Sequence, residues 1–154
     1  MLDVKDRKLL AELQANSQAT VQELAERVGL SASACWRRVK VLEESGVIAR
    51  YTVLLDRHLA GFGLCALVHV SLERHEEHFL DAFVSRVLER PEVLECYATT
   101  GESDYYLRVV AKDIDAYNEF LDAFLFKLPG VSHVRTNIVL KEIKVESKLP
   151  ILNS

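Results

Sequence analysis

Hydrophobic positions in the first 46 residues recur with a helical period, in three short blocks divided by turn residues. Leu9, Leu10 and Leu13 make one stripe of a helix expected from about Asp3 to Asn16. Thr20-Val21-Gln22-Glu23 has the form of a capping box, in which hydroxyl and carboxylate satisfy orphan amides at a helix start. Val21, Leu24, Ala25 and Val28 give a short second helix its apolar face, and Gly29 ends it. Ser31 is placed to cap a third helix buried along Cys35, Val39 and Leu42, with Gly46 where a left-handed C-terminal cap is expected. From Val47 to Leu55 β-branched and aromatic residues take over, which predicts a strand or hairpin.

Asp56–Gly63 breaks the pattern, with two glycines and no clean period, and reads as a linker. Beyond it the expected order is strand 64–73, helix 76–90, strand 93–100, strand 104–112, helix 113–128 and strand 131–145. Phe79, Leu80, Phe83, Val84, Val87 and Leu88 are expected on one face of the first of these helices. Ile114, Tyr117, Leu121, Phe124, Leu125 and Leu128 play that part in the second. Gly101-Glu102-Ser103 is a compact hairpin connection, while Pro91 and Pro129-Gly130 close the helices. The fold class is therefore α+β: a helix-turn-helix with a wing at Arg50-Tyr51, then a βαββαβ ferredoxin-like domain. The expected domains are 1–55 and 64–154, joined by 56–63.

The strand at 64–73 is apolar on both faces: Leu64, Ala66, Val68, Val70 and Leu72 oppose Cys65, Leu67 and His69. Tyr105, Leu107 and Val109 likewise oppose Tyr106 and Val110. Two helices cover one side of a four-stranded sheet, so the other side calls for a partner, and a homodimer through the sheet is expected.

Charge sharpens the first half. The chain has 154 residues and a net charge of −4. Residues 1–58 hold nine Lys/Arg against eight Asp/Glu, and residues 59–154 hold ten against fifteen. Yet residues 27–41 contain Arg27, Arg37, Arg38 and Lys40 and no acid, a local basic window suited to a polyanion. In a helix-turn-helix the third helix offers Ser33, Ala34, Trp36, Arg37, Arg38 and Lys40 on its open faces, with Arg50 flanking. Arginine bonds guanine edges or phosphates bidentately, and Ser31, Ser33 and the first-turn amides suit phosphate oxygens. Double-stranded DNA is the expected partner.

Other classes find less support. No apolar run approaches the roughly 18 residues of a membrane span, the start carries no signal-peptide core, and a cytoplasmic location is expected. Cys35, Cys65 and Cys96 lie 30 and 31 residues apart, which excludes a zinc ribbon or a Cys-x-x-Cys redox pair. Cys35 reads as a core residue and Cys96 as a core or interface residue. A metabolic enzyme on a ferredoxin-like domain needs a nucleophile, base or phosphate loop, and no such motif is found. His75-x-x-His78 has metal-ligand spacing but sits among Glu76 and Glu77 at a helix start, so no metal, cofactor or catalytic residue is assigned. RNA-recognition domains share the βαββαβ order, but need a basic setting that residues 59–154 lack.

Leu2-Asp3, Asp6-Arg7-Lys8-Leu9-Leu10, Glu23 through Ser31, Cys35 through Glu43 and Gly46-Val47-Ile48 follow one another in a familiar order. Thr100-Gly101-Glu102-Ser103-Asp104-Tyr105 and Leu128-Pro129-Gly130-Val131 complete it. This set resembles the Lrp/AsnC, or leucine-responsive/asparagine-type feast/famine, transcription regulators along essentially the whole chain. The resemblance implies a winged helix-turn-helix and an amino-acid-sensing domain, in dimers that often close into octamers with small effectors bound between them. It also implies an effector pocket at the Gly101–Asp104 turn and adjoining strand ends: Tyr97, Thr99, Thr100, Gly101, Glu102, Ser103, Asp104 and Tyr105. There Asp104 suits an α-ammonium group, while Thr99, Thr100 and the turn amides suit an α-carboxylate. An effector-independent architectural DNA-binding protein is the alternative within the same fold.

Overall fold

The computed structural model describes residues 2–73 and 77–153 and divides into two compact units, residues 1–54 with 144–154 and residues 55–143. The His75-x-x-His78 pair depends on His75, which lies outside the described residues.

In the first unit α1 (Val4–Ala15), α2 (Val21–Val28) and α3 (Ala32–Glu44) pack around Leu9, Leu10, Leu24, Ala25, Val28, Cys35 and Leu42. Each helix starts on a side-chain cap. Asp3 and Asp6 form a reciprocal capping box on α1, Thr20 and Glu23 form the expected one on α2, and Ser31 accepts from the Ala34 amide on α3. Gly46, at φ +75°, turns the chain out of α3 and lets the Ile48 amide reach back to the Leu42 carbonyl at 3.0 Å.

Two expectations change here. Residues 47–55 form no strand: they run on from α3 as irregular chain, and the wing expected at Arg50-Tyr51 has no ladder partner among the described residues. β propensity alone does not make a strand when no second strand satisfies its amides. The last residues also belong elsewhere than the sequence suggests. The Leu149 amide donates to Gln14 Oε1 at 2.7 Å, Gln14 Nε2 donates to the Leu149 carbonyl at 3.1 Å, and Ile151 packs on the helical core.

The second unit is the βαββαβ sheet. Its elements are β1 (Leu64–Leu72), α4 (Glu77–Leu88), β2 (Val93–Ala98), β3 (Tyr105–Ala111), α5 (Ile114–Ala123) and β4 (Val131–Ile138). The strand order is β2-β3-β1-β4, every pair antiparallel, so β1 is hydrogen-bonded on both sides. Leu64, Ala66, Val68, Val70 and Leu72 face Phe83, Val87, Tyr117, Phe120, Phe124, Leu125 and Leu128 in one core. Burying each large side chain contributes roughly 1.5–3 kcal/mol. Tyr117 keeps its hydroxyl satisfied inside that core by a 2.6 Å bond to Thr136 Oγ1.

The helices are narrower than expected. Phe83 and Val87 are buried, whereas Leu80, Val84 and Leu88 are exposed, Leu88 at 80%. A step of one residue turns a helix by about 100°, which carries 80, 84 and 88 off the contact line. α5 stops at Ala123, a 3-10 turn over Leu125–Lys127 follows, Ile114 is exposed, and the unforeseen Phe120 is buried. β4 ends at Ile138, well short of 145. The segment expected as a linker is an ordered turn. Asp56 Oδ1 accepts from the His58 and Leu59 amides, and Arg57 binds the Phe62 and Gly63 carbonyls and Glu142.

Gly130 enters β4 at φ +80°, and a Cβ there would lie 2.8 Å from Phe79 Cβ. Gly130→Ala combines backbone strain with that clash and is expected to lower the unfolding free energy by about 1–3 kcal/mol, measured by urea denaturation.

Candidate functional site

The third helix divides its side chains between two directions. Cys35 and Leu42 are buried and Val39 packs against the core. Ser33, Trp36, Arg37 and Lys40 are exposed, Trp36 at 55%, and recur at helical spacing along the outer side of α3. Ala34 is half-buried beside them. Ser31 is occupied by its capping bond, with its hydroxyl 3.3 Å from that of Ser33.

The cations of this helix are not equivalent. Arg37 makes no ion pair among the described residues. Lys40 Nζ donates to Glu43 Oε2 at 2.7 Å, while the Tyr51 hydroxyl donates to Glu43 Oε1 at 3.0 Å. That network raises Lys40 above the usual lysine range and holds Glu43 below the usual carboxylate range, the lysine contributing more than the tyrosine. Arg38 turns the other way and donates through Nη1 to Asp3 Oδ2 and Asp6 Oδ1, both at 2.7 Å. Its two hydrogen bonds push the guanidinium further up. Arg50 is exposed on the irregular segment after α3.

At the other candidate site, the 99–104 connection is fastened at both ends. The Thr99 amide donates to the Asp104 carbonyl at 2.9 Å, and Thr99 Oγ1 donates to the Ser103 carbonyl at 3.1 Å. The Asp104 amide bonds Val70, and Asp104 Oδ2 accepts from the Leu72 amide at 2.8 Å, where the β1–β4 register shifts. Ser71 Oγ donates to the Glu102 carbonyl, and the Glu102 carboxylate lies 3.5 Å from Arg135 of β4. Asp104 is thus both a candidate ammonium acceptor and a clasp between hairpin and central strand. Sequence reading missed the clasp, because its partners lie about 30 residues away along the chain.

Thr99, Thr100, Gly101 and Glu102 are exposed, and Ser103 and Asp104 are half-buried, so the turn presents an open shelf. The two tyrosines expected there part company. Tyr97, 53% exposed, pairs with Tyr106 on the uncovered sheet face, whereas Tyr105 turns to α4 with its ring 4.7 Å from that of Phe83.

The uncovered face carries Leu67, His69, Tyr106 and Arg108, with His69 edge-on to Tyr106 at 5.0 Å and Arg108 paired to Glu95 at 3.0 Å. Cys65 and Val110 are buried there even in the single chain. Burial pushes the Cys65 thiol up, opposed by nearby Arg57 and Arg108. Cys96 is exposed on β2, not in the core of the chain, and desolvation pushes its thiol up as well, the reverse of what a thiolate sensor needs. Among the described residues no three His, Cys, Asp or Glu side chains gather as metal ligands, and no helix is long and apolar enough to cross a membrane.

Residues 65–149 match the Lrp/AsnC ligand binding domain, and residues 2–49 match a winged helix-turn-helix DNA-binding model. The DNA-binding transcriptional activator DecR of Escherichia coli is 40% identical over 151 residues, 98% of this chain and 99% of that one. The leucine-responsive regulatory protein of the same species is 37% identical over 97% of this chain and 92% of its own length. A transcriptional regulator of Neisseria meningitidis, solved as a complex with L-Met, superposes with a TM-score of 0.95 at 39% identity, covering 99% of both chains. A feast or famine regulatory protein from M. tuberculosis, complexed with L-methionine, gives 0.88 at 32% identity, over 97% of this chain and 99% of that one.

Two outcomes follow from the bonding at these sites. The Asp6 amide first, and Arg38 second, hold Asp3 below the usual aspartate range. A carboxylate depressed in the folded state stabilises at neutral pH, and that contribution disappears as pH falls through its depressed value. Asp3→Asn keeps a cap but removes the charge, so its melting temperature should fall below wild type at pH 7 and converge with it in acid, followed by circular dichroism. Asp104→Ala leaves the half-buried Leu72 amide without its acceptor and should lower stability by about 1–3 kcal/mol in urea titration, whereas Asp104→Asn retains an acceptor and should lose less.

Proposed function

The chain belongs to the Lrp/AsnC family of DNA-binding transcriptional regulators, and from that premise we propose that α3 enters the major groove by its outer stripe. Ser33, Trp36, Arg37 and Lys40 carry the contact, supported by Ser31, Ala34 and Arg50 at the margins. The observation that carries this reading is the division of α3: Cys35, Val39 and Leu42 belong to the core, and the exposed stripe contains Arg37, a guanidinium with no ion pair among the described residues. A free guanidinium on a groove-facing helix suits guanine or phosphate.

The effector in this reading is an amino acid held at the 99–104 shelf. Asp104 faces its ammonium, and Thr99, Thr100 and the turn amides face its carboxylate. The L-methionine complexes of two relatives support that ligand class. The shelf is open in a single chain, which supports completion by a second molecule. The half-apolar face around Leu67, His69, Tyr97 and Tyr106 supports dimerisation through the sheet, with dimers closing into an octamer. A dimer sets two recognition helices about 34 Å apart on a pseudo-palindromic site. The relatives are named as transcriptional regulators; no catalytic step, cofactor or metal is proposed for this chain, and the proposed working place is the cytoplasm.

Arg37→Ala should weaken binding to selected duplex DNA by about 1–3 kcal/mol in fluorescence anisotropy. Unchanged affinity would remove this stripe from the groove. Thermal unfolding against the twenty amino acids tests the effector, since a ligand at 100 times its Kd adds about 2.7 kcal/mol of stability. The stabilisation should be lost in Asp104→Asn, which keeps the bond to Leu72. No stabilising amino acid would favour the architectural reading. Light scattering should give at least a dimer; a monomer at micromolar concentration would sink the sheet interface.

A further inference from the structure

The first turn of α1 reaches both helices of the helix-turn-helix with polar side chains. Lys5 Nζ donates to the Val28 carbonyl at 2.6 Å and the Gly29 carbonyl at 3.3 Å, at the end of α2. Asp3 and Asp6, on either side of it in sequence, accept from Arg38 of α3 at 2.7 Å each. Four side chains from residues 3–6 and 38 therefore join α1 to the two helices whose mutual angle the motif depends on.

We infer that Arg38 is a positioning residue for DNA binding, and that Asp3, Lys5 and Asp6 act with it to set α3 against α2. Arg38 follows Arg37 by one position, about 100° round the helix, which takes it off the stripe of Ser33, Arg37 and Lys40. Its guanidinium is shared between two carboxylates, so the triad carries net charge −1 and offers a phosphate no attraction of its own. Arg38 has 34% of its side chain exposed against 16% for Asp6, which places their bond at the rim of the helical core, where both groups are partly removed from water. A charge-assisted pair in that setting holds geometry more firmly than one in open solvent.

The inference rests on α3 entering the groove, and it has a sign that separates it from direct contact. Removing a negative charge beside a DNA-binding surface ordinarily tightens binding, because the polyanion is repelled less. If Asp6 instead holds Arg38 in a positioning bond, Asp6→Asn weakens binding although it makes the protein more positive. The N-cap Asp3 is untouched in this variant, and the amide oxygen of asparagine can still accept from the Asp3 amide, so the helix start is kept.

The test uses the full chain and a duplex selected from a random library on the wild-type protein, with affinity measured by anisotropy over a range of salt. Asp6→Asn and Arg38→Gln should each weaken binding, by on the order of tenfold for Arg38→Gln. The double variant should be no weaker than Arg38→Gln alone. The salt slope should stay at the wild-type value in Arg38→Gln and fall by about 0.9 in Arg37→Gln, which loses a phosphate contact. Tighter or unchanged binding by Asp6→Asn, or a reduced slope in Arg38→Gln, would overturn the inference. If Arg38→Gln does not fold, seen in circular dichroism and in Trp36 fluorescence, the direction of the Asp6→Asn effect decides alone. Unchanged binding by Arg37→Gln would count against the groove reading and not against the clamp.

Discussion

A four-stranded sheet has two faces, and in this molecule both helices of the sheet unit lie on one of them. β1 feels this constraint most, because strands flank it on both sides and its residues alternate between faces. Its inner residues meet Phe83, Val87 and the α5 aromatics, while Leu67 and His69 emerge on the other side among Tyr106 and Arg108. Part of that second face is closed off within the chain: Cys65 and Val110 are buried, and the charges of Arg57 and Glu142, paired with each other, act on the Cys65 thiol. What remains is a mixed patch, apolar at Leu67 and Tyr97 and polar at His69 and Arg108. That composition fits an interface that must also be specific about register, since unpaired charges opposed across it are strongly disfavoured.

The helical unit works with less. Among the described residues seven buried side chains make its core, and three helices of eight to thirteen residues would be marginal on hydrophobic burial alone. Polar fastening makes up the difference: reciprocal caps on α1 and α2, the Lys5 and Arg38 bonds to the first turn of α1, and the return of the chain end onto Gln14 and the core. The exposed members of this set are screened by salt and individually worth little. Their value lies in fixing directions, which a small core of leucines and valines leaves loosely specified.

Period and punctuation made most of the fold legible. Capping signals at Thr20 and Ser31, the glycines at 29 and 46 and the alternation of residues 64–72 lead directly to the observed elements. Failures came where structure depends on a distant partner. Val47 to Leu55 have the composition of a strand, but among the described residues no second strand pairs with them. Leu80, Val84 and Leu88 look like a core face until the contact line of α4 is known. Of the candidate site, the exposed stripe of α3 could be read from helical spacing, whereas the roles of Arg38 and Asp104 could not. Each is decided by a bond to a residue more than thirty positions away. One local signal was available and unused: Asp3 and Asp6, three apart before an apolar run, have the spacing of a capping pair.

The α3 helix shows what this arrangement permits. Its inward residues and Arg38 are tied to partners elsewhere in the unit, so substituting any of them disturbs packing or orientation before it disturbs recognition. Its outward residues are exposed and lie outside the core, so Ser33, Trp36 and Arg37 can change with little effect on folding. Lys40 lies between these cases, because one of its three N–H groups is bonded to Glu43, whose charge offsets its own toward a phosphate. Lys40 is exposed and Glu43 half-buried, so loosening that bond involves little desolvation and is within reach of a polyanion's field. A recognition helix built in this way separates the residues that determine where it points from those that determine what it reads. The same scaffold can then carry different sequence preferences without being stabilised anew for each.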